Sequence, residues 1–167
     1  MHISNRNWIE KNAILNKNVS FLDVGSYIVD GQEQIQCRKT IASKVKKYIG
    51  LDAIPGHGVD IVSDAKKMPF EDCSFDIVSC LDTLEHVDWP REVVRECFRV
   101  TKVCGVLFLA SVFRFPIHYY PNDYWRFTPA CIKLLLEDAG YQVLEYGREE
   151  GTDEYPVITR GRGIKTA

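Results

Sequence analysis

Val19-Ser20-Phe21-Leu22-Asp23-Val24-Gly25-Ser26 is the stretch on which the rest of the chain turns. An apolar run of this length that ends at glycine predicts a strand buried on both faces, stopping at a tight turn. Gly25 lets the backbone turn with positive φ, or come close to a ligand, without a Cβ penalty. A carboxylate on a buried strand is costly unless something pairs with it, so Asp23 needs a partner. One reading gives it to the backbone of its own turn. The other has it help hold a cationic ligand at the carboxyl end of the strand, where open α/β sheets bind ligands. These residues alone leave both readings open.

The next apolar strand, Tyr48-Ile49-Gly50-Leu51-Asp52, also ends in a carboxylate. After a βα unit, an acidic residue at the tip of the second strand stands where it can accept hydrogen bonds from a ribose. A dinucleotide fingerprint needs three closely spaced glycines, because a pyrophosphate must approach a helix N-terminus. Here five residues separate Gly25 from Gly31. That spacing is poor for a pyrophosphate and adequate for a nucleoside ligand without one.

Outward from these two strands the pattern alternates. Residues 5–16, with Trp8, Ile9, Ile14 and Leu15 among polar positions, predict a short helix that packs against or partly lids the site. A poorly patterned helix is expected within residues 32–43. The turn Ala53-Ile54-Pro55-Gly56-His57-Gly58 leaves no room for a second crossover helix of normal length. Strands are expected at 59–63, 74–80 and 105–111. Pro90 and Thr128-Pro129 mark the starts of two helices, the second closed by Gly140. Residues 141–146 and 155–160 read as a hairpin turning through Gly151, and residues 161–167 as a frayed tail. The fold class is therefore α/β, a mostly parallel sheet with one reversed strand at its edge. The expected organisation is an N-terminal helical extension (1–18), one domain (19–160) and a flexible tail.

Composition narrows the classes. The 167 residues suit one domain, and 46% hydrophobic with 26% charged residues is ordinary for a water-soluble globular chain. A net charge of −2 gives no general attraction to polyanions, which counts against nucleic acid. The N-terminal residues contain no apolar signal-peptide core, and no apolar run is long enough to span a bilayer, so a cytoplasmic location with no membrane partner is expected. The six cysteines form no CxxC pair and have no histidine at ligand spacing, so buried reduced thiols are expected, with no metal.

In this order and spacing the motifs resemble those of class I S-adenosylmethionine (SAM)-dependent methyltransferases, of the small type 11 kind, over residues 19–146. Leu22-Asp23-Val24-Gly25-Ser26 resembles the family's first motif, and Ile49-Gly50-Leu51-Asp52 its second. Asp64-Ala65 before Met68-Pro69-Phe70 resembles the adenine-side motif. Ser74-Phe75-Asp76-Ile77-Val78 leading to Leu84-Glu85-His86-Val87 resembles the segment after the fourth strand. Three family features differ: the first glycine run is thinned, the second crossover helix is missing, and Val103-Cys104-Gly105 stands where Pro-Gly-Gly is usual.

The resemblance implies a Rossmann-like methyltransferase sheet with a C-terminal antiparallel hairpin, and SAM as cofactor with S-adenosylhomocysteine (SAH) as product. It implies that Asp23, Gly25 and Ser26 line the methionine moiety and that Asp52 binds the ribose with Ala53 beside the adenine. Asp64 would accept from the adenine amino group, Ala65 would offer its N–H, and Leu81 and Asp82 would close the pocket under the sulfonium. For Asp82 an N-cap role in the next turn is the competing reading.

The acceptor side is expected in the long loop 113–128, with its aromatic residues, two arginines, Asp123 and His118. His118 is the candidate base, against the alternative that it only fixes the loop. His86 reads as a structural hydrogen-bonder. Tyr124, Trp125 and Arg126 are expected to pack the loop onto the following helix. The acceptor is read as a small molecule or glycan. A non-catalytic SAM-binding or protein-interaction module is the alternative; a nicotinamide oxidoreductase fails on the third glycine and the hairpin.

Overall fold

The computed structural model describes residues 3–31 and 37–167. Seven strands form one sheet in the order β3-β2-β1-β4-β5-β7-β6. The strands are β1 (Ser20–Val24), β2 (Lys47–Asp52), β3 (Ile61–Val62), β4 (Phe75–Leu81), β5 (Thr101–Val112), β6 (Gln142–Gly151) and β7 (Pro156–Ile164). β1 lies between β2 and β4, parallel to both, with Val24 paired to Leu51 on one side and to Cys80 on the other. β1 and β4 are almost fully buried, as apolar runs in the middle of a parallel sheet must be. The order reverses at β1, and a crevice opens there outside the carboxyl ends of the strands.

Among the described residues four helices cover the sheet: α1 (Ile3–Asn12), α2 (Cys37–Ile41), α3 (Pro90–Val100) and α4 (Pro129–Ala139). On one face Val93, Val94, Cys97 and Val100 of α3 and Ile132, Leu135 and Leu136 of α4 pack on Leu22, Val78, Leu107 and Leu109. On the other, Trp8 and Ile9 of α1 pack on Phe21, Phe108 and Ile158, with Trp8 edge-on to Phe108 at 5.0 Å. Each such fully buried side chain contributes about 1.5–3 kcal/mol. Both ends of α4 are set by local sequence. The Thr128 hydroxyl accepts the Cys131 N–H at 3.2 Å, and Gly140 (φ 106°) closes the C-terminus in the left-handed region.

Several expectations change. The reversed strand is not at the edge: β7 runs antiparallel between β5 and β6, and β6 forms the edge. Residues 161–164, read as tail, are the last four of the nine residues of β7 and pair on both sides. Their Gly-Arg-Gly pattern looks like a loop in sequence. In the sheet the two glycines fit beneath α4 and Tyr141, where a Cβ on Gly163 would lie 2.6 Å from Tyr141 Cβ. Lys165 beyond them is also buried, its amine donating to the Phe98 carbonyl at 2.9 Å. Within residues 1–18, where a short packing helix was expected, stands α1, and its Trp8 and Ile9 belong to the core. The helix expected within 32–43 is α2, and residues 32–36 lie outside the described set. The absence of a second crossover helix holds: residues 53–60 are a loop, and β3 after it has only two residues.

Candidate active site

A cavity of about 400 Å³ opens at the carboxyl ends of β1, β2 and β4. One flank carries Asp23, Gly25, Asp52, Ala53, Asp64, Ala65 and Leu81, and the other carries Glu85, His86, Phe115, His118 and Tyr120, with Asp82 and Thr83 also lining it. The expected cofactor-side residues and His118 line this space, except Ser26; of the rest of the acceptor loop Phe115, Tyr120 and Pro121 line it, whereas Arg114, Asp123, Tyr124, Trp125 and Arg126 do not.

Ser26 is buried, and its hydroxyl faces inward against Gly50, where a Cβ would come within 2.6 Å of it. Its amide and that of Gly25 both donate to Leu51 O, at 3.1 and 2.8 Å, which locks the turn onto β2. Gly25 sits at φ 78°, and a Cβ there would stand 2.0 Å from the Thr83 hydroxyl. The glycine is required both by its backbone angle and by the segment after β4.

Asp23 takes neither of the two simple readings whole. Its partners are side chains rather than its own turn: Ser79 donates at 2.6 Å and the Tyr48 hydroxyl at 2.5 Å. Burial pushes its carboxyl above the ordinary carboxylate range, and these two hydrogen bonds pull against that. Asp52, half-exposed at the tip of β2, accepts Tyr27 N–H at 3.0 Å and Ile54 N–H at 3.2 Å, one on each oxygen. Each oxygen keeps a second lone pair for a ligand hydroxyl. Asp64 forms its own turn, accepting Lys66 N–H at 2.8 Å, while lining the cavity beside Ala65. The Ala65 amide donates to no group among the described residues.

Asp82 stands in the left-handed region at φ 49° and receives Asn5 Nδ2 at 3.4 Å on both oxygens, which ties α1 to the end of β4. It is not an N-cap. The single 3-10 turn Leu84–His86 begins after Thr83, and no side chain caps it.

The loop after β5 is clamped by one carboxylate. Asp123, whose side chain is only 1% exposed, accepts two bonds from Arg126 at 2.5 and 2.8 Å and the His118 N–H at 2.8 Å. It also lies 3.2 Å from His118 Nδ1. The Arg126 guanidinium, outweighing burial, holds its carboxyl far below the usual range. His118 is thus both a fixed part of the loop and an imidazole whose Nε2 is left over. Trp125 Nε1 donates to Val87 O at 2.9 Å and Tyr124 N–H to Glu85 O at 2.7 Å. These residues fasten the loop to segment 84–87 rather than to α4. His86 Nδ1 bonds Asn122 O at 2.6 Å, as a structural hydrogen-bonder should, but His86 also lines the cavity.

Glu85 is the residue that sequence reasoning passed over. It is fully buried, and Ser111 Oγ donates to its Oε2 at 2.7 Å. Burial, with the charge of Asp82 nearby, pushes its carboxyl up to about 8. The available signal was a glutamate inside Leu84-Glu85-His86-Val87, between residues that read as core.

Residues 31–109 match the family described as a methyltransferase domain. The ubiquinone biosynthesis O-methyltransferase of Pseudomonas putida (strain F1) is 42% identical over 96 aligned residues, covering 47% of this chain and 40% of that protein. Its counterpart in Pseudomonas fluorescens (strain SBW25) is 44% identical over 55 residues, 33% of this chain and 22% of the relative. The chain therefore matches about a fifth to two fifths of the length of these curated relatives. A putative methyltransferase from Bacillus halodurans superposes with TM-score 0.72 at 19% identity, covering 98% of this chain and all of that one. The Burkholderia thailandensis 1,6-didemethyltoxoflavin-N1-methyltransferase, solved with SAH, gives TM-score 0.72 at 12% identity over 98% of this chain and 77% of its own. At such identities the structural likeness establishes the fold.

Proposed function

We propose that this chain, which has the fold of class I SAM-dependent methyltransferases and matches a methyltransferase-domain family over residues 31–109, methylates a hydroxyl group of a small-molecule acceptor. The residues present fit the cofactor. The cavity has the size of a ligand pocket. Asp52 keeps lone pairs for two ribose hydroxyls, the Ala65 amide has no other acceptor among the described residues, and Gly25 keeps the floor free of side chain. Asp64 and Ala53 flank the adenine end, and Asp23, Leu81 and Asp82 the methionine end. Ser26 acts one step back, by holding the turn.

When bound, SAM supplies an activated methyl group, and what the protein must add is position and a route for the acceptor's proton. Holding the reactants in line can contribute roughly 7–11 kcal/mol in model systems. The observation that carries the hydroxyl reading is His118, at the cavity wall with Nδ1 backed by Asp123 and Nε2 left to face an acceptor. An imidazole so held can take up a proton, an effect of ~10²–10⁴-fold. The ubiquinone biosynthesis O-methyltransferases that match part of the chain support an oxygen acceptor. The aromatic wall of Phe115 and Tyr120 supports a flat or apolar one. A glycan acceptor and a nucleic-acid acceptor have less behind them, the latter because neither a basic face nor the net charge favours a polyanion. Among the described residues no helix is long and apolar enough to cross a membrane.

The test is SAH release from SAM across a panel of phenols, alcohols, amines and sugars. Turnover with a hydroxyl compound, reduced in His118→Gln while SAH affinity is unchanged, is the expected result. Turnover only with amines overturns the hydroxyl reading. SAM binding with no turnover on any acceptor makes the non-catalytic module the better account, and binding of NAD in place of SAM removes the whole reading.

A further inference from the structure

Glu85, His86 and His118 bring one carboxylate oxygen and two ring nitrogens within 4.8 Å of one another. All three line the acceptor flank of the cavity. They come from two segments, the turn after β4 and the loop after β5, which are cross-linked by the Tyr124 N–H to Glu85 O bond and the His86 to Asn122 O bond. Both imidazoles have Nδ1 engaged by oxygen: His86 with Asn122 O at 2.6 Å, and His118 with Asp123 Oδ2 and Pro116 O, each at 3.2 Å. A histidine whose second ring nitrogen is held by a carbonyl or carboxylate is oriented as metal-ligating histidines are.

Glu85 adds an independent observation. It is 0% exposed, and its Oε1 has no hydrogen-bond partner from another residue among those described. A buried carboxylate oxygen without a partner is costly, and coordination to a cation is one of the few arrangements that offsets the cost. The sequence reading expected no metal because it looked for ligand spacing around the cysteines. These three ligands are 33 residues apart in the chain and meet only through the loop.

We propose that Glu85, His86 and His118 bind a single divalent transition-metal ion whose remaining coordination positions face the acceptor. Two imidazoles and a carboxylate, with positions left open, suit zinc or ferrous iron rather than magnesium or calcium, which prefer oxygen ligands throughout. Bound there, the cation draws in the acceptor's oxygen and lowers the pKa of its proton, so that the O–H bond breaks and the proton passes to solvent water. His118 then contributes as a ligand in place of taking the proton itself. That last step rests on the methyl-transfer reading; the binding of the ion does not.

Equilibrium dialysis of the chelator-treated chain against Zn²⁺ should give one ion per chain, and Co²⁺ in its place should give visible absorption of a nitrogen–oxygen site without a thiolate band. His86→Gln and His118→Gln should each weaken binding by about tenfold or more. Should Glu85→Gln fold poorly, the two histidine variants carry the test. The exposed thiols are the rival ligands, so a Cys73→Ser/Cys104→Ser double variant must bind as tightly as the parent. The proposal is overturned by sub-stoichiometric binding, by affinity within threefold of the parent in both histidine variants, or by loss in the cysteine variant. SAH calorimetry on the same samples separates the two readings: ion binding without SAH binding sinks methyl transfer and leaves the metal site, and the reverse sinks only the metal site.

Discussion

Replacing Asp52 with alanine probes the cofactor assignment most directly, because the side chain has two jobs of different size. Its oxygens accept Tyr27 N–H at 3.0 Å and Ile54 N–H at 3.2 Å, shaping the rim of the cavity. The residue is half-exposed, so water can replace it at both amides, and the stability loss should stay near 1 kcal/mol. A bound ribose would lose two hydrogen bonds to a charged acceptor, each of about 1.5–3 kcal/mol before the rim relaxes. Some of that is recovered by solvent at a half-exposed position, which leaves about 2–3 kcal/mol, or roughly a 30- to 150-fold weaker Kd. Titration calorimetry with SAH measures the second effect, and thermal melting without ligand measures the first. Asp52→Asn should fall between, since its amide nitrogen cannot accept from Tyr27 N–H. If Asp52→Ala melts within a few degrees of the parent and binds SAH within threefold, the ribose assignment is wrong.

Gly25→Ala should be the most disruptive small change in the cavity floor. A positive φ costs about 1–2 kcal/mol for an L side chain and overpacking against Thr83 about 1–3 more; adding Thr83→Ala should return part of the second amount in a double-mutant cycle, and strict additivity would contradict the contact. Asp123→Asn removes the anchor shared by Arg126 and the His118 amide, so turnover should fall while SAH affinity holds, and an equal loss of both would mean that the loop also shapes the cofactor flank. Glu96 is held below its ordinary 4.5 chiefly by hydrogen bonds from Arg99, which also ties down Phe70 O and Met68 O. A depressed carboxylate stabilises above its unfolded pKa and loses that contribution as pH falls through the folded one. Glu96→Gln should therefore lower the melting temperature at pH 7, with the gap to the parent closing as pH falls below 4.5, and a gap that stays constant into acid would refute the ion-pair account.

What the sequence determined by itself was whatever depends on neighbours along the chain. The apolar runs ending at Gly25 and Asp52, the Thr128-Pro129 start and the Gly140 stop are local signals, and the structure forms β1, β2 and α4 where they stand. The order of these elements was enough to bring Asp23, Asp52 and Asp64 to one cavity, because it is built from strand ends whose order the crossovers dictate. Partners that come from far along the chain were decided by the tertiary structure. For Asp23 the sequence left its own turn and a ligand both open, and the fold gives it Ser79 and Tyr48 on the two adjacent strands. Residues 161–164 looked like a glycine-rich tail because nothing local shows that β5 and β6 leave a gap between them. Glu85 reads as one polar residue in a core stretch until burial and the Asp82 charge raise its carboxyl, and until the loop after β5 brings His118 beside it. Side-chain chemistry at a site depends on dielectric and on distances of a few ångströms, and neither is carried by spacing along the chain.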